Sequence, residues 1–122
     1  MGILDGKRAL VVGVASNKSI AWGIASAMHR QGAELAFTYQ TERLRGRVDK
    51  IADECGSSLT MPCDLASDAD IDKVFERLGN DWGNIDIVVH SAAYAPREEL
   101  AGEYLESVTR EGFGVAHDIS SY

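Results

Sequence analysis

The chain has 122 residues, 45% apolar and 25% charged, with 12 glycines and two prolines. Those proportions are ordinary for a soluble globular domain and argue against collagen, coiled coil and wholesale disorder. The formal net charge of -7 disfavours a nucleic-acid binder, which needs a clustered basic face to displace counterions. A single nucleotide held by oriented backbone amides remains compatible with it.

Length sets the expectation of one domain, burying roughly two-thirds of its unfolded surface. No apolar run approaches a membrane span, and Ala9 to Ala15 is too short, and too soon broken by Gly13, for a secretory leader. Met1-Gly2 would suit myristoylation, but the hydroxyl that signal needs at position six is here Gly6. The expectation is a cytoplasmic protein with no membrane partner. Cys55 and Cys63 lack CxxC spacing, and His29, His90 and His117 do not cluster with them. No metal site is expected, and both cysteines read as small packing residues in a reducing compartment.

In chain order, Arg8-Ala9-Leu10-Val11-Val12 is a short apolar strand that ends at Gly13. It passes into a helix over about Ser19 to Gln31, with Ile20, Ile24, Ala27 and Met28 at helical spacing and Gly32 as the stop. Glu34 to Tyr39 reads as a second strand. Thr41 is the candidate N-cap of a second helix that carries Leu44, Val48, Ile51, Ala52 and Cys55 on one face and ends at Gly56. A third strand, Ser58 to Met61, is followed by Pro62, which puts it near a sheet edge. Ser67-Asp68-Ala69-Asp70 is a capping-box pattern opening a third helix with Ile71, Val74, Phe75 and Leu78 inward. Ile85 to His90 is the second strongly apolar run and reads as a central strand. Tyr94 to Ser107 reads as a loop with at most a short helical turn, and a last helix starts at Thr109.

Strands alternating with helices predict an α/β protein, a Rossmann-like doubly wound parallel sheet in the order third, second, first, fourth. With the fourth strand lacking a further neighbour, residues 1–122 read as the N-terminal part of a single dinucleotide-binding domain, truncated after the fourth strand and a following helix. Ligands bind such sheets at the carboxyl ends of the strands, where Gly13, Gln40, Asp64 and Ser91 all fall. At Gly13 the backbone can approach a pyrophosphate closely, and N–H groups near Ser19 and Ile20 can donate to it. Gln40 stands where an NAD-specific domain usually has an acid for the ribose hydroxyls. Its amide could serve that role without repelling a phosphate, and with Arg43 nearby NADP stays open. The plain alternative is a polar residue opening a helix. Ser91, Ala92 and Ala93 have small side chains that would let the backbone approach a nicotinamide ribose, although packing alone could demand them. The basic group Arg43, Arg45, Arg47 and Lys50 is interleaved with acids and reads as a solvated face. His90 and Asp86 read as structural, and Trp22 and Trp82 as packing residues.

The stretch Gly13-Val14-Ala15-Ser16-Asn17-Lys18-Ser19-Ile20-Ala21-Trp22-Gly23 is not a G-x-G-x-x-G fingerprint. It resembles the cofactor loop of the divergent short-chain dehydrogenase branch that contains the bacterial NADH-dependent enoyl-[acyl-carrier-protein] reductases. Val12, Asn17 and Ser19 stand where ordinary members have a threonine and the last two glycines of T-G-x-x-x-G-x-G. The segments Ala36 to Gln40, Cys63-Asp64-Leu65, His90 to Pro96 and Thr109 to Tyr122 also resemble that branch. The resemblance implies NADH as cofactor, with Gln40 near the adenosine. It further implies an adenine site at Asp64 and Leu65, where a carboxylate accepts from the exocyclic amine and the next N–H donates to the ring. The alternative for Asp64 is a cap on the following turn. Ala93 and the Tyr94-Ala95 backbone are implied as neighbours of the acyl substrate.

The implied reaction is reduction of the 2,3 double bond of a trans-2-enoyl thioester on acyl carrier protein, in fatty-acid biosynthesis, by a homotetramer. A tyrosine would stabilise the enolate and a lysine would hold the cofactor ribose. No tyrosine here has a lysine seven residues on, and no lysine follows Lys73. No catalytic residue is therefore assigned, and residues 1–122 alone are expected to be inactive. An acidic chain also suits acyl carrier protein poorly, so basic docking contacts are expected elsewhere. The rival readings are an NADP-linked short-chain carbonyl reductase and a non-catalytic nucleotide-binding module.

Overall fold

The computed structural model describes residues 2–122, which pack as two compact units, one running to Ser91 and the other Ala92–Tyr122. The first unit holds β1 (Arg8–Val12), α1 (Ile20–Arg30), β2 (Glu34–Tyr39), α2 (Glu42–Glu54), β3 (Thr60–Pro62), α3 (Asp68–Trp82) and β4 (Ile87–His90). All strand pairs are parallel, in the order β3-β2-β1-β4. This is the expected doubly wound arrangement.

The alternation of β1 divides the core. Ala9 and Val11 face one side, with Leu35, Phe37 and the inner faces of α1 and α2. Leu10 faces the other, with Ala36, Met61 and α3 through Val74, Leu78 and Trp82. Burying a side chain such as Phe37 or Leu10 stabilises the fold by roughly 1.5–3 kcal/mol, and both are at most 2% exposed. The core therefore sits on both faces of the two inner strands and leaves the carboxyl ends of all four free to carry loops.

The helices begin where the caps predict. Ser19 Oγ accepts from Trp22 N at 3.2 Å and Ser67 Oγ from Asp70 N at 3.2 Å. Thr41 precedes α2 in extended conformation but makes no side-chain cap bond.

Several expectations need correction. The buried face of α1 is Ala21, Ala25 and Met28, whereas Ile20 is 78% exposed; the helix lies close on the sheet through its small residues. In α3 the inward stripe is Val74, Leu78 and Trp82, four apart, which turns Phe75 outward. Among the described residues β4 pairs with β1, and its burial alternates, with Ile87 and Val89 against the core and Val88 55% exposed. It also starts two residues later than its apolar run. Asp86 there takes a structural part: its carboxylate accepts from Arg8 N and its own N–H donates to Arg8 O, both at 2.9 Å.

β3 spans Thr60 to Pro62 instead of Ser58 to Met61. Pro62 is paired with Tyr39 on the outer strand of the sheet, where a missing N–H is tolerated.

The second unit contains a 3₁₀ turn (Arg97–Leu100), α4 (Tyr104–Ser107) and α5 (Arg110–Ser120). The hydroxyl of Thr109 caps α5 by accepting from Gly112 N at 2.9 Å. The Glu99 carboxylate in turn accepts from both the N–H and the hydroxyl of Thr109, fastening the 3₁₀ turn to the start of α5.

Candidate functional site

The carboxyl edge of the sheet gathers Gly13, Gln40, Asp64, Leu65 and Ser91. Ser91 N donates to Val12 O at 2.8 Å, carrying the β1–β4 ladder one residue past β4 and bringing Ser91 beside the end of β1. Gly13 follows at φ +110°, a backbone conformation that strains any residue with a Cβ. Val14, 2% exposed, then returns to the core and anchors the loop. Within it Ser16 O accepts from Ser19 N at 3.1 Å and from Ser19 Oγ at 2.8 Å, and Ser16 Oγ accepts from Lys18 N at 3.1 Å. The N–H of Ser19 is thus engaged inside the loop and its hydroxyl caps α1. Ile20 opens the helix, at the end where N–H groups point outward and the dipole is positive.

On the other side of β1, Cys63 N donates to Tyr39 O at 2.9 Å and extends the β2–β3 ladder beyond Pro62. That extension sets Cys63 opposite Gln40 and brings Asp64 within reach of the Gln40 side chain. Gln40 Nε2 donates to Asp64 Oδ1 at 3.0 Å, and Leu65 N donates to Gln40 Oε1 at 3.4 Å. A carboxylate only accepts and a backbone N–H only donates, so these partners fix which end of the amide faces which group.

The Asp64 segment is held independently of Gln40. Its N–H donates to Asp70 Oδ2 at 2.9 Å, its carbonyl accepts from Ser67 N at 2.9 Å, and its Oδ1 also accepts from Ala66 N at 2.9 Å. Asp64 therefore does act on the turn that follows it. The result is a fixed acceptor next to a fixed donor on an exposed rim.

The sequence did not single out Asp70 beyond its place in the capping box. Its carboxylate reaches the N–H of Asp64 and so orients the residue of interest. The meeting of Gln40 with Asp64 was recoverable from the strand order, because residues just past the ends of neighbouring parallel strands must be neighbours.

Ala92, Ala93 and Ala95 belong to the second unit, in the irregular stretch before the 3₁₀ turn. There Ser120 Oγ accepts from Tyr94 N at 2.8 Å and donates to Tyr94 O at 3.1 Å, fixing the backbone between Ala93 and Ala95.

Other groups lie apart from this chemistry. The exposed Arg45 pairs with Glu42 and Asp49 along α2, at 3.8 and 3.7 Å, the solvated face expected. Burial pushes the thiols of Cys55 and Cys63 above their usual range, with Glu54 adding to the first and Asp70 and then Asp64 to the second. A cavity of about 410 Å³ lined by His29, Glu34, Cys55, Ser57 and Trp82 lies at the amino ends of β2 and β3, the opposite edge of the sheet. Among the described residues no group of three or more His, Cys, Asp or Glu is placed to hold a metal ion. No helix among them is long and apolar enough to cross a membrane.

A parallel sheet ordered β3-β2-β1-β4, with a glycine ending β1 and a helix opening beyond it, is a Rossmann-like fold. The family model described as enoyl-(acyl carrier protein) reductase matches residues 13–122, and the chain belongs to that family. It is 62% identical, over all 122 residues, to the NADH-dependent enoyl-[acyl-carrier-protein] reductase of Salmonella typhimurium, covering 47% of that protein. It is 52% identical to the Aquifex aeolicus enzyme, again over all 122 residues and 45% of the relative. The crystal structure of the Aquifex aeolicus NADH-dependent reductase superposes with a TM-score of 0.93 over 97% of this chain and 46% of that one. An Anaplasma phagocytophilum enoyl-(acyl-carrier-protein) reductase in complex with NAD, 40% identical, gives 0.90 over 98% of this chain and 45% of that one. The chain thus spans about half the length of the relatives it matches.

Proposed function

We propose that residues 1–122 form the cofactor-binding, N-terminal part of one Rossmann domain in an NADH-dependent enoyl-[acyl-carrier-protein] reductase of fatty-acid biosynthesis. The observation that carries this reading is the gathering of Gly13, Gln40, Asp64, Leu65 and Ser91 along one sheet edge in a chain 62% identical to an NADH-dependent member of the family.

The residues present fit the cofactor. Gly13 leaves room for close approach of a pyrophosphate, with Ile20 and the capping Ser19 at the helix end behind it. Asp64 and Leu65 offer an acceptor and a donor side by side, the complement of an adenine edge. Ser91 and Ala92 are assigned to the nicotinamide ribose, and Ala93 and Ala95 to the acyl substrate, on the family resemblance. Bound NADH supplies hydride to the β-carbon of the trans-2-enoyl thioester. These residues bind and orient; none is assigned to bond making.

On this reading the protein is a cytoplasmic homotetramer whose substrate arrives on acyl carrier protein. The net charge of -7 assigns the basic docking contacts for that acidic partner to residues outside this segment. The family match favours this reading over an NADP-linked carbonyl reductase or a non-catalytic nucleotide-binding module.

The test is NADH consumption by the complete protein with a trans-2-enoyl thioester of acyl carrier protein, run beside NADPH with a ketone substrate. Turnover confined to the second pair contradicts the proposal, as does turnover of the enoyl thioester by residues 1–122 alone.

A further inference from the structure

The amide of Gln40 offers Asp64 and Leu65 the hydrogen-bonding edge that adenine offers. In the side chain, the donor Nε2 and the acceptor Oε1 sit on one carbon. In adenine, the exocyclic amine that donates and the ring nitrogen that accepts likewise flank one carbon. Both contacts are made here by that single amide, at 3.0 and 3.4 Å.

We propose that Gln40 is a built-in occupant of the adenine-reading pair. Its amide holds Asp64 Oδ1 and Leu65 N, and an adenine-bearing ligand binds by displacing it. This rests on the reading of Asp64 and Leu65 as the adenine contact. Two features of the structure support displacement. Gln40 is exposed, at the bend between β2 and α2, so its side chain can swing away without disturbing the core. Asp64 is held in place by Asp70, Ser67 and Ala66 whether or not Gln40 is present. The Asp64 segment keeps three hydrogen bonds of its own when the amide leaves.

Gln40 therefore tunes how sharply the site prefers adenine. An adenine ligand must break two exposed hydrogen bonds to reach its partners, which lowers its apparent affinity by the fraction of time the pair is vacant. A hypoxanthine ligand carries its acceptor and donor in the reverse order, so in the pose of adenine it sets a carbonyl against the Asp64 carboxylate and an N–H against Leu65 N, and it cannot replace the two contacts of Gln40.

The experiment compares equilibrium binding of NADH and of its hypoxanthine analogue to the complete protein, as wild type, Gln40→Met and Asp64→Ala. Any contact Gln40 makes with the ribose is common to both ligands and cancels in the ratio of their dissociation constants. Methionine matches glutamine in length but lacks the amide. The preference for NADH is expected to rise about threefold to tenfold in Gln40→Met, from removal of modest exposed hydrogen bonds, and to collapse in Asp64→Ala. A ratio unchanged or lowered in Gln40→Met, while Asp64→Ala still collapses it, overturns the occupant role and leaves the adenine site standing. A ratio insensitive to Asp64→Ala, or no NADH binding to the wild type, removes the adenine reading and this proposal with it.

Discussion

The amide nitrogen of Gln40 lies 3.0 Å from Asp64 Oδ1, 24 residues on in sequence, and ties the end of β2 to the segment that follows β3. Gln40→Glu replaces that donor with a second carboxylate at the same distance. The expected outcome is a loss of about 1 kcal/mol of stability at neutral pH and low ionic strength, much of it recovered in high salt because both groups are exposed. Denaturant midpoints of the complete protein at two salt concentrations measure it. A midpoint equal to the wild type's at low salt contradicts the pairing.

Gly13 combines a φ of +110° with a place at the end of β1. Gly13→Ala puts a Cβ into that conformation at a cost of order 1–3 kcal/mol, and sets a methyl where the proposed function brings a pyrophosphate. Both the melting temperature and NADH affinity should fall. Gly23→Ala is the control, since a Cβ there meets nothing within 4 Å, and it should leave the melting temperature unchanged or slightly raised.

The buried thiols give a pH dependence with a definite sign. Cys55 and Cys63 are 8% and 5% exposed, and burial raises both above the ordinary thiol value of 9.0. A group whose folded pKa is raised contributes stability that is fully present below its unfolded pKa and is lost as pH climbs through the folded one. Stability should therefore hold up to about pH 9.0 and decline above it, and Cys55→Ala with Cys63→Ala should lessen that decline. Alkylation at neutral pH should be slow in the native protein and fast after unfolding.

Where local chemistry decided the structure, the sequence could be read. Ser19, Ser67 and Thr109 mark helix starts because their hydroxyls meet N–H groups within a turn. The strand order followed from alternation and handedness. The buried face of α1 was not legible, because periodicity weights large side chains such as Ile20 and Ile24. A helix lying close on a sheet instead selects Ala21 and Ala25. The start of β4 was missed because the Asp86 carboxylate takes the N–H of Arg8, a contact 78 residues apart that no local pattern encodes.

The same division runs through the site. Gly13, Gln40, Asp64 and Ser91 could be assigned to one edge from strand ends alone. That Gln40 engages Asp64 and Leu65, and that Asp70 orients Asp64, depends on side-chain geometry between neighbouring strands. The capping box predicts the bond from Asp70 N to Ser67, but the Asp70 carboxylate turns to Asp64 N.

NADH affinity of the complete protein with Asp64→Ala tests the cofactor assignment most directly. The carboxylate is exposed, so its loss should move the melting temperature by only a few degrees, the cost of one turn cap. Loss of a charge-assisted hydrogen bond to the adenine amine should weaken NADH about tenfold or more. An affinity equal to the wild type's, in a folded variant, would remove Asp64 from the adenine site and contradict the account.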